Sequence, residues 1–280
     1  MYTTNLIYAG KGGIGKSFLA YNLISYLRNL SNDVNKIGVI DTDTNNGIIS
    51  TIENFNPINL GDCSLDDWAT NGLLKLTSYI SDKNISKHYV VDIGSNTFPI
   101  INNYMIINQC LSELLLKSSC KINLHLLIAA NDRSEAAYTI SLVYDTLDYI
   151  IELKTILNDY PNEKEEVLGK LNIFLWLNEI HGSVYFNGEP FESNKNFLDK
   201  YNKHIDYLIH IPKLSIYEAN DFGILRSKGK TFEEADTIFS GFLGKMQLLR
   251  VNNVKKKIFH IMDNSLSTYF KEVDPDTFSK

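Results

Sequence analysis

The chain alternates between short continuous apolar runs and longer segments in which apolar residues recur every three or four positions. These largely apolar runs predict buried strands at residues 6–9, 36–40, 89–93, 122–130, 171–177 and 205–211. The periodic segments predict helices over about residues 17–30, 65–80, 98–118 and 134–157. Strands without polar alternation must be covered on both faces. Because these strands alternate with helices, the pattern predicts an α/β fold with a doubly wound, mostly parallel sheet.

The C-terminal region is predicted to form helices that pack on this sheet. Thr231 and Glu234 have the spacing of a capping box, which marks a helix start. An apolar stripe at helical spacing follows and is expected to face the core, at Phe239, Phe242, Leu243, Met246, Leu249, Val254, Ile258 and Met262. We interpret residues 1–270 as one domain and the acidic, proline-broken residues 271–280 as a mobile tail. The polar residues 158–169 are predicted to be a surface loop.

Composition narrows the class of protein. The 280 residues are 44% hydrophobic and 21% charged, with a net charge of −6, which is typical of a soluble globular protein and does not indicate a dominant nucleic-acid-binding surface. No apolar run is long enough to span a membrane, and the N-terminus lacks a signal-peptide pattern. Cys63, Cys110 and Cys120 are scattered and odd in number, so we expect reduced thiols and a cytoplasmic location.

Residues 10–17, which read G-K-G-G-I-G-K-S, directly follow the first predicted strand and fit the phosphate-binding P-loop. Glycines allow consecutive backbone N–H groups to surround a phosphate, and the following helix directs its positive dipole end at the same anion. Lys16 would contact the β- and γ-phosphates, and the Ser17 hydroxyl would bind Mg²⁺. The predicted nucleotide-binding residues of this segment are Gly12, Gly13, Gly15, Lys16, Ser17 and Phe18. A glycine-rich turn without a ligand is the alternative.

Carboxylates follow two other predicted strands. Asp41 and Asp43 come after the second, and Asp92 ends the run Tyr89 to Asp92, with Gly94 beyond it. The carboxyl ends of parallel strands are where such sheets bind ligands. An aspartate after a buried strand is the Walker B arrangement, which holds Mg²⁺ through water. The P-loop, the D-x-D and this aspartate, in that order, predict a Mg-nucleotide site.

Lys11 gives the loop the form K-G-G-x-G-K-S, which resembles the deviant Walker A loop of the ParA/MinD class of ATPases. The resemblance implies that Lys11 reaches the phosphates bound by a partner subunit, that Asp43 orients the attacking water, and that Asp41 supports the magnesium side. It also implies that Asn178 and the Pro212 loop line the adenine pocket. Lys11 as a solvated loop charge and Asn178 as a turn residue are the alternatives. Residues 44–47 depart from the proline-glutamine of many relatives.

Later motifs resemble TraL-type conjugal transfer proteins and the similar StbB plasmid-stability proteins, from Leu6 to about Phe270. These motifs are residues 92–98, 174–178, 188–191, 211–214 and 231–235. The resemblance implies ATP and Mg²⁺ as ligands, a homodimer formed on ATP binding, slow ATP hydrolysis, and a protein partner in conjugation or partition. Lys245, Arg250 and Lys255 to Lys257 could contact DNA or lipid. The acidic C-terminus argues against a membrane anchor.

Three other classes share the P-loop. Iron–sulfur carriers such as nitrogenase iron proteins need cluster-binding cysteines, and Cys110 and Cys120 lie well beyond Asp92. Dethiobiotin-synthetase-like enzymes lack the signature lysine that Lys11 matches. A nucleotide-binding regulator that does not hydrolyse ATP remains the main alternative, and Asp43 together with Asp92 favours hydrolysis.

Overall fold

The parallel sheet predicted from the apolar runs is present, with seven strands in the order β3-β2-β4-β1-β5-β6-β9. The structure is a computed structural model and describes residues 2–44, 47–60, 64–81, 87–108, 110–117, 120–129, 133–186 and 188–278. The strands are β1 Tyr2–Tyr8, β2 Ile37–Asp41, β3 Ile58–Asn59, β4 His88–Asp92, β5 Cys120–Ala129, β6 Leu171–Asn178, β7 Tyr185–Phe186, β8 Glu189–Pro190 and β9 Tyr207–Ile211. All pairs in the main sheet are parallel, and β7 and β8 form a separate antiparallel pair.

The α-helices are α1 Lys16–Leu30, α2 Leu65–Asp67, α3 Leu73–Ser81, α4 Phe98–Asn102, α5 Cys110–Lys117, α6 Arg133–Ile156, α7 Pro161–Leu168, α8 Lys195–Tyr201, α9 Ile216–Ser227, α10 Ala235–Ile238 and α11 Gly241–Val273. The prediction of a loop over residues 158–169 is wrong, because α7 occupies most of it. Pro161 suits the first helical position, and Glu163 in the first turn complements the helix dipole, so a polar composition does not prevent a helix here. No helix among the described residues is both long and apolar enough to cross a membrane.

Both faces of the sheet are covered, which explains the unalternated strand sequences. Neighbouring residues of one strand face opposite sides. Ile7 packs in the core on the side of α1 and α11, and Leu6 and Tyr8 pack in the core on the other side, with α6. All three side chains are at most 1% exposed. The central strands therefore carry mostly apolar residues on both faces, and the loops at their carboxyl ends rest on a packed base.

Only part of the predicted apolar stripe in the C-terminal region is buried. Val254 and Met262 are fully buried, whereas Phe242 and Leu243 are 82% and 76% exposed, and Met246 and Leu249 are exposed as well. A period of 3.6 residues places Phe242, Met246 and Leu249 on the side of α11 away from Val254 and Met262. The capping box at Thr231 is present, but it precedes a short 3-10 turn and α10, and the long helix begins later, at Gly241. The apolar residues that the sequence pattern grouped into one stripe therefore lie on two different faces of α11, one buried and one exposed.

The predicted mobile tail over residues 271–280 is a second expectation that the packing contradicts. Helix α11 continues to Val273, and Phe278 is fully buried against the rings of His88 and Phe270. Asp274 accepts a hydrogen bond from His88 at 3.1 Å. The burial of Phe278 and the hydrogen bond of Asp274 hold this segment against the domain, although its composition is acidic and contains proline. Its last two residues, like Cys63, Asn45 and Asn46, lie outside the described part of the chain.

A neutral histidine is built into the centre of the sheet. Trp176 Nε1 donates to His125 Nδ1 at 2.9 Å, and His125 Nε2 lies 3.1 Å from Asn5 Oδ1, to which it donates. Because indole N–H can only donate, Nδ1 must be an acceptor, which fixes the neutral tautomer. Burial lowers the pKa of His125 to about 3.

This histidine should make stability depend on pH. As the pH falls below the ordinary histidine pKa of 6.5, the unfolded chain takes up a proton that folded His125 does not, so the free energy of unfolding decreases. We expect a loss of about 2 kcal/mol from this residue between pH 7.5 and pH 5, measured by chemical denaturation. His125→Gln should lessen the pH dependence by that amount. An unchanged pH dependence in the variant would contradict the assignment.

Candidate functional site

The loop between β1 and α1 lies at the centre of the sheet's carboxyl edge, since β1 is flanked by β4 and β5. Gly13 and Gly15 adopt φ angles of 81° and 98°, in the left-handed region that favours glycine. This conformation turns backbone N–H groups toward one side, directly before the N-terminus of α1. The loop therefore has the shape and the dipole that the sequence predicted for phosphate binding.

A cavity of about 290 Å³ lies against this loop. Three other parts of the chain contribute to its wall: the segment after β2, the end of β4 with its following loop, and α9. The lining residues are Gly12, Gly13, Gly15, Lys16, Ser17, Phe18, Asp43, Ile48, Asp92, Ile93, Gly94, Ser95 and Arg226. The structure thus brings together most of the residues that the sequence assigned to phosphate, magnesium and water.

Lys16 is buried at the base of the cavity. Its ammonium donates a hydrogen bond to the backbone carbonyl of Lys11. Burial lowers the pKa of Lys16, and the negative charges of Asp92 and Asp43 act in the opposite direction. A buried ammonium held by one carbonyl can offer its remaining hydrogens to an anion in the cavity.

Asp92 lies at the end of β4, next to Lys16 and Ser17. Burial, and next the charge of Asp41, raise its pKa to about 7, while a hydrogen bond from the Ser17 hydroxyl acts against this rise. Its Oδ1 is buried and has no hydrogen-bond partner among the described residues. An orphaned carboxylate oxygen beside a hydroxyl oxygen is the hard oxygen donor set that Mg²⁺ prefers. Asp92 and Ser17 therefore fit a magnesium site.

Asp41 is next to Asp92 across the β2–β4 pair, but it does not line the cavity. Its two carboxylate oxygens accept hydrogen bonds from the backbone N–H groups of Asp43, at 3.0 Å, and Ser50, at 2.8 Å. Burial raises the pKa of Asp41. The contacts of Asp41 shape the loop after β2, and that loop places Asp43 in the cavity wall.

Thr42 joins the two carboxylate-bearing loops, a role that the sequence did not indicate. Its hydroxyl accepts a hydrogen bond from Gly94 N at 3.0 Å and lies 2.9 Å from Thr97 Oγ1. A Cβ at Gly94 would lie 2.6 Å from the Cα of Asp43, so only glycine allows the loops to approach this closely. The spacing between Asp43 and Asp92 is therefore set by Thr42 and Gly94.

The remaining predicted site residues, Lys11, Asn178 and Pro212, are not among the described residues that line the cavity. Asn178 is 6% exposed, and its Nδ2 donates to the carbonyl of Ile14 at 2.8 Å, so it supports the P-loop from β6. Pro212 follows β9 at the same edge of the sheet. Lys11 is half-buried.

Sequence reasoning missed Arg226. This residue lies near the end of α9, far along the chain from the P-loop, and it lines the same cavity. Nothing in the local sequence distinguishes it from an ordinary basic residue in the last turn of a helix.

Comparisons with known proteins agree with the motifs. No family model matches the sequence. A TraL protein of Escherichia coli is 24% identical over 269 residues, covering 95% of this chain and 99% of that protein. A second Escherichia coli TraL is 23% identical over 265 residues, covering 94% and 98%.

Solved structures with low sequence identity were also found. The MinD cell division protein of Aquifex aeolicus is 14% identical, with a TM-score of 0.40 and coverage of 93% of this chain and 98% of that one. The apo form of Cyanthece McdA is 11% identical, with a TM-score of 0.46 and coverage of 94% and 99%. Such scores reflect a loose superposition, and the fold is established by the strand order itself. The resemblance predicted from the motifs is confirmed: this chain is similar to the TraL proteins along nearly its whole length.

Proposed function

We propose that this chain binds Mg-ATP, dimerises around it and hydrolyses it slowly, and that it serves plasmid conjugation, partition or stability through nucleotide-switched partner binding. The observation that carries the proposal is the convergence of Lys16, Ser17, Asp43 and Asp92 on one cavity at the P-loop. The similarity to TraL proteins and the deviant Walker A sequence support the biological setting.

Positioning and electrostatics would supply the catalysis. The backbone N–H groups of residues 12–17 and the Lys16 ammonium would hold the phosphates. Ser17 and Asp92 would hold Mg²⁺, which supplies charge neutralisation at the phosphates when bound. Asn178 and Pro212, at the same sheet edge, are proposed to flank the base.

The dimer is proposed from Lys11. Its side chain stands outside the lining of its own cavity, as a lysine that serves the partner's nucleotide would. The two lysines of the loop would then have separate tasks, because Lys16 binds phosphate within its own chain and Lys11 binds it across the interface.

We propose a protein partner, and the ion pairs of α11 weaken the case for DNA. Lys255 pairs with Glu233 at 2.8 Å, Lys257 pairs with Glu218 at 2.6 Å, and Arg250 pairs with Asp221. These carboxylates offset much of the positive charge that the sequence showed in this helix. A pull-down from cells, with the Asp43→Ala protein held in its ATP-bound state as bait, would identify the partner.

Asp43→Ala is expected to bind ATP but to turn it over at least roughly a hundredfold more slowly, because the variant lacks the carboxylate that would orient the attacking water. Single-turnover phosphate release measures the effect, and the exposed Asp199→Ala is the matched control. A wild-type rate in Asp43→Ala would mean that backbone groups alone orient the attacking water. If wild-type protein binds ATP and releases no phosphate, the chain is the non-hydrolysing regulator instead.

A further inference from the structure

Arg226 brings a second cation to the cavity from outside the P-loop. Its guanidinium carbon lies 5.2 Å from the ring centre of Phe222 and 5.8 Å from that of Phe18. The residue is half-buried, and its Nε is buried without a hydrogen-bond partner in the described part of the chain.

The surroundings of Arg226 do not satisfy its charge. It forms no ion pair within the described residues, whereas Arg250 on the neighbouring helix pairs with Asp221. Burial lowers the pKa of Arg226, and the negative charge of nearby Asp92 opposes this effect. A guanidinium has five N–H donors and stays charged in proteins. The contacts with the two rings stabilise the cation but supply no hydrogen-bond acceptor, so its N–H groups remain available to an anion in the cavity.

We propose that Arg226 is a phosphate-binding residue that acts in the same chain, beside Lys16. The inference rests on the proposed nucleotide site and adds to it a cation that the P-loop motif does not contain. A planar guanidinium suits phosphate because two of its N–H groups can bind two oxygens. The rings of Phe18 and Phe222 would hold its plane in place, so that little side-chain freedom is lost on binding.

A purely structural role is the competing explanation, since Arg226 could simply fill space between two rings. The two roles predict opposite results for the protein without ligand. If Arg226 serves to bind phosphate, Arg226→Met keeps the packing and removes an unpaired charge, so the ligand-free melting temperature stays the same or rises. If Arg226 instead stabilises the fold through cation–π contacts with the two rings, Arg226→Met lowers the ligand-free melting temperature.

The experiment is calorimetric titration of ADP and ATP together with thermal unfolding of the ligand-free protein. We expect Arg226→Met to weaken both nucleotides by about 10- to 100-fold, the range for losing a charged hydrogen bond. Arg226→Lys should recover part of the affinity, because it restores charge but not the planar fork. The control Arg250→Met removes another ring-stacked arginine and should leave nucleotide affinity unchanged.

Two results would overturn the role of Arg226. One is nucleotide affinity in Arg226→Met within about twofold of wild type. The other is an affinity loss that comes with a lower ligand-free melting temperature and is as large in Arg226→Lys as in Arg226→Met. If Lys16→Ala weakens binding while Arg226→Met does not, only this inference fails. If wild-type protein binds neither nucleotide, the proposed function fails with it.

Discussion

Lys16→Ala is expected to weaken ATP binding by roughly 3–5 kcal/mol, more than a hundredfold in Kd. The ammonium is buried at the base of the cavity, where it donates a hydrogen bond to the backbone carbonyl of Lys11. Phosphate charge entering this water-poor site would depend on that ammonium, because charges interact more strongly there than in bulk water. Isothermal titration calorimetry with ATP and Mg²⁺ measures the loss directly.

The matched control for this variant is Lys228→Ala, which removes an exposed lysine just after α9. It should leave ATP affinity unchanged. The ligand-free Lys16→Ala protein should remain folded, since the variant removes a buried positive charge whose pKa burial already lowers. Equal ATP affinity in wild type and a folded Lys16→Ala protein would refute the P-loop assignment.

Lys11→Ala is expected to abolish ATP-dependent dimerisation and hydrolysis while leaving ATP binding by the monomer nearly normal. The hydrogen bond to Lys16 uses the backbone carbonyl of Lys11, so the substitution keeps it. What it removes is the side chain that would offset phosphate charge across a two-fold interface. Without that side chain, two bound nucleotides would face each other with uncompensated negative charge.

Size-exclusion chromatography with light scattering reads the oligomeric state, and the Asp43→Ala background keeps ATP intact during the run. Lys213→Ala, an exposed lysine on the loop after β9, is the control and should dimerise as the parent does. An ATP-dependent dimer that persists in Lys11→Ala would make this an ordinary P-loop protein. If Lys11 is only a surface lysine, its substitution should change the free energy of unfolding by no more than about 0.5 kcal/mol.

The sequence predicted the sheet well, and it predicted the position of the glycine-rich loop between β1 and α1, because both depend on local patterns. A strand covered on both faces needs a continuous apolar run, and β1, β4, β5 and β6 each have one. The glycines of the loop and the residues Lys16 and Ser17 follow one another along the chain, so their grouping is fixed before any tertiary contact forms. The order of Asp43 and Asp92 after their strands placed both carboxylates at one edge of the sheet.

Predictions from local pattern failed where the burial of a segment is not the one that its composition suggests. Apolar spacing after Phe239 did not reveal that Phe242 and Leu249 lie on the side of α11 away from the core. The acidic composition after Lys271 hid the burial of Phe278. In both cases the free energy depends on which neighbour covers the side chain, and periodicity describes the segment without its neighbour.

By itself, then, the sequence determined the glycine-rich loop after β1, the order of the carboxylates along the chain and the similarity to TraL proteins. The tertiary structure alone decided that Asn178 supports the loop through Ile14, that Thr42 and Gly94 set the distance between the two carboxylate loops, and that Arg226 faces the cavity. These contacts join residues that are far apart in the chain. Their geometry exists only once the strands are paired and the helices are packed on them, because no short segment contains both partners.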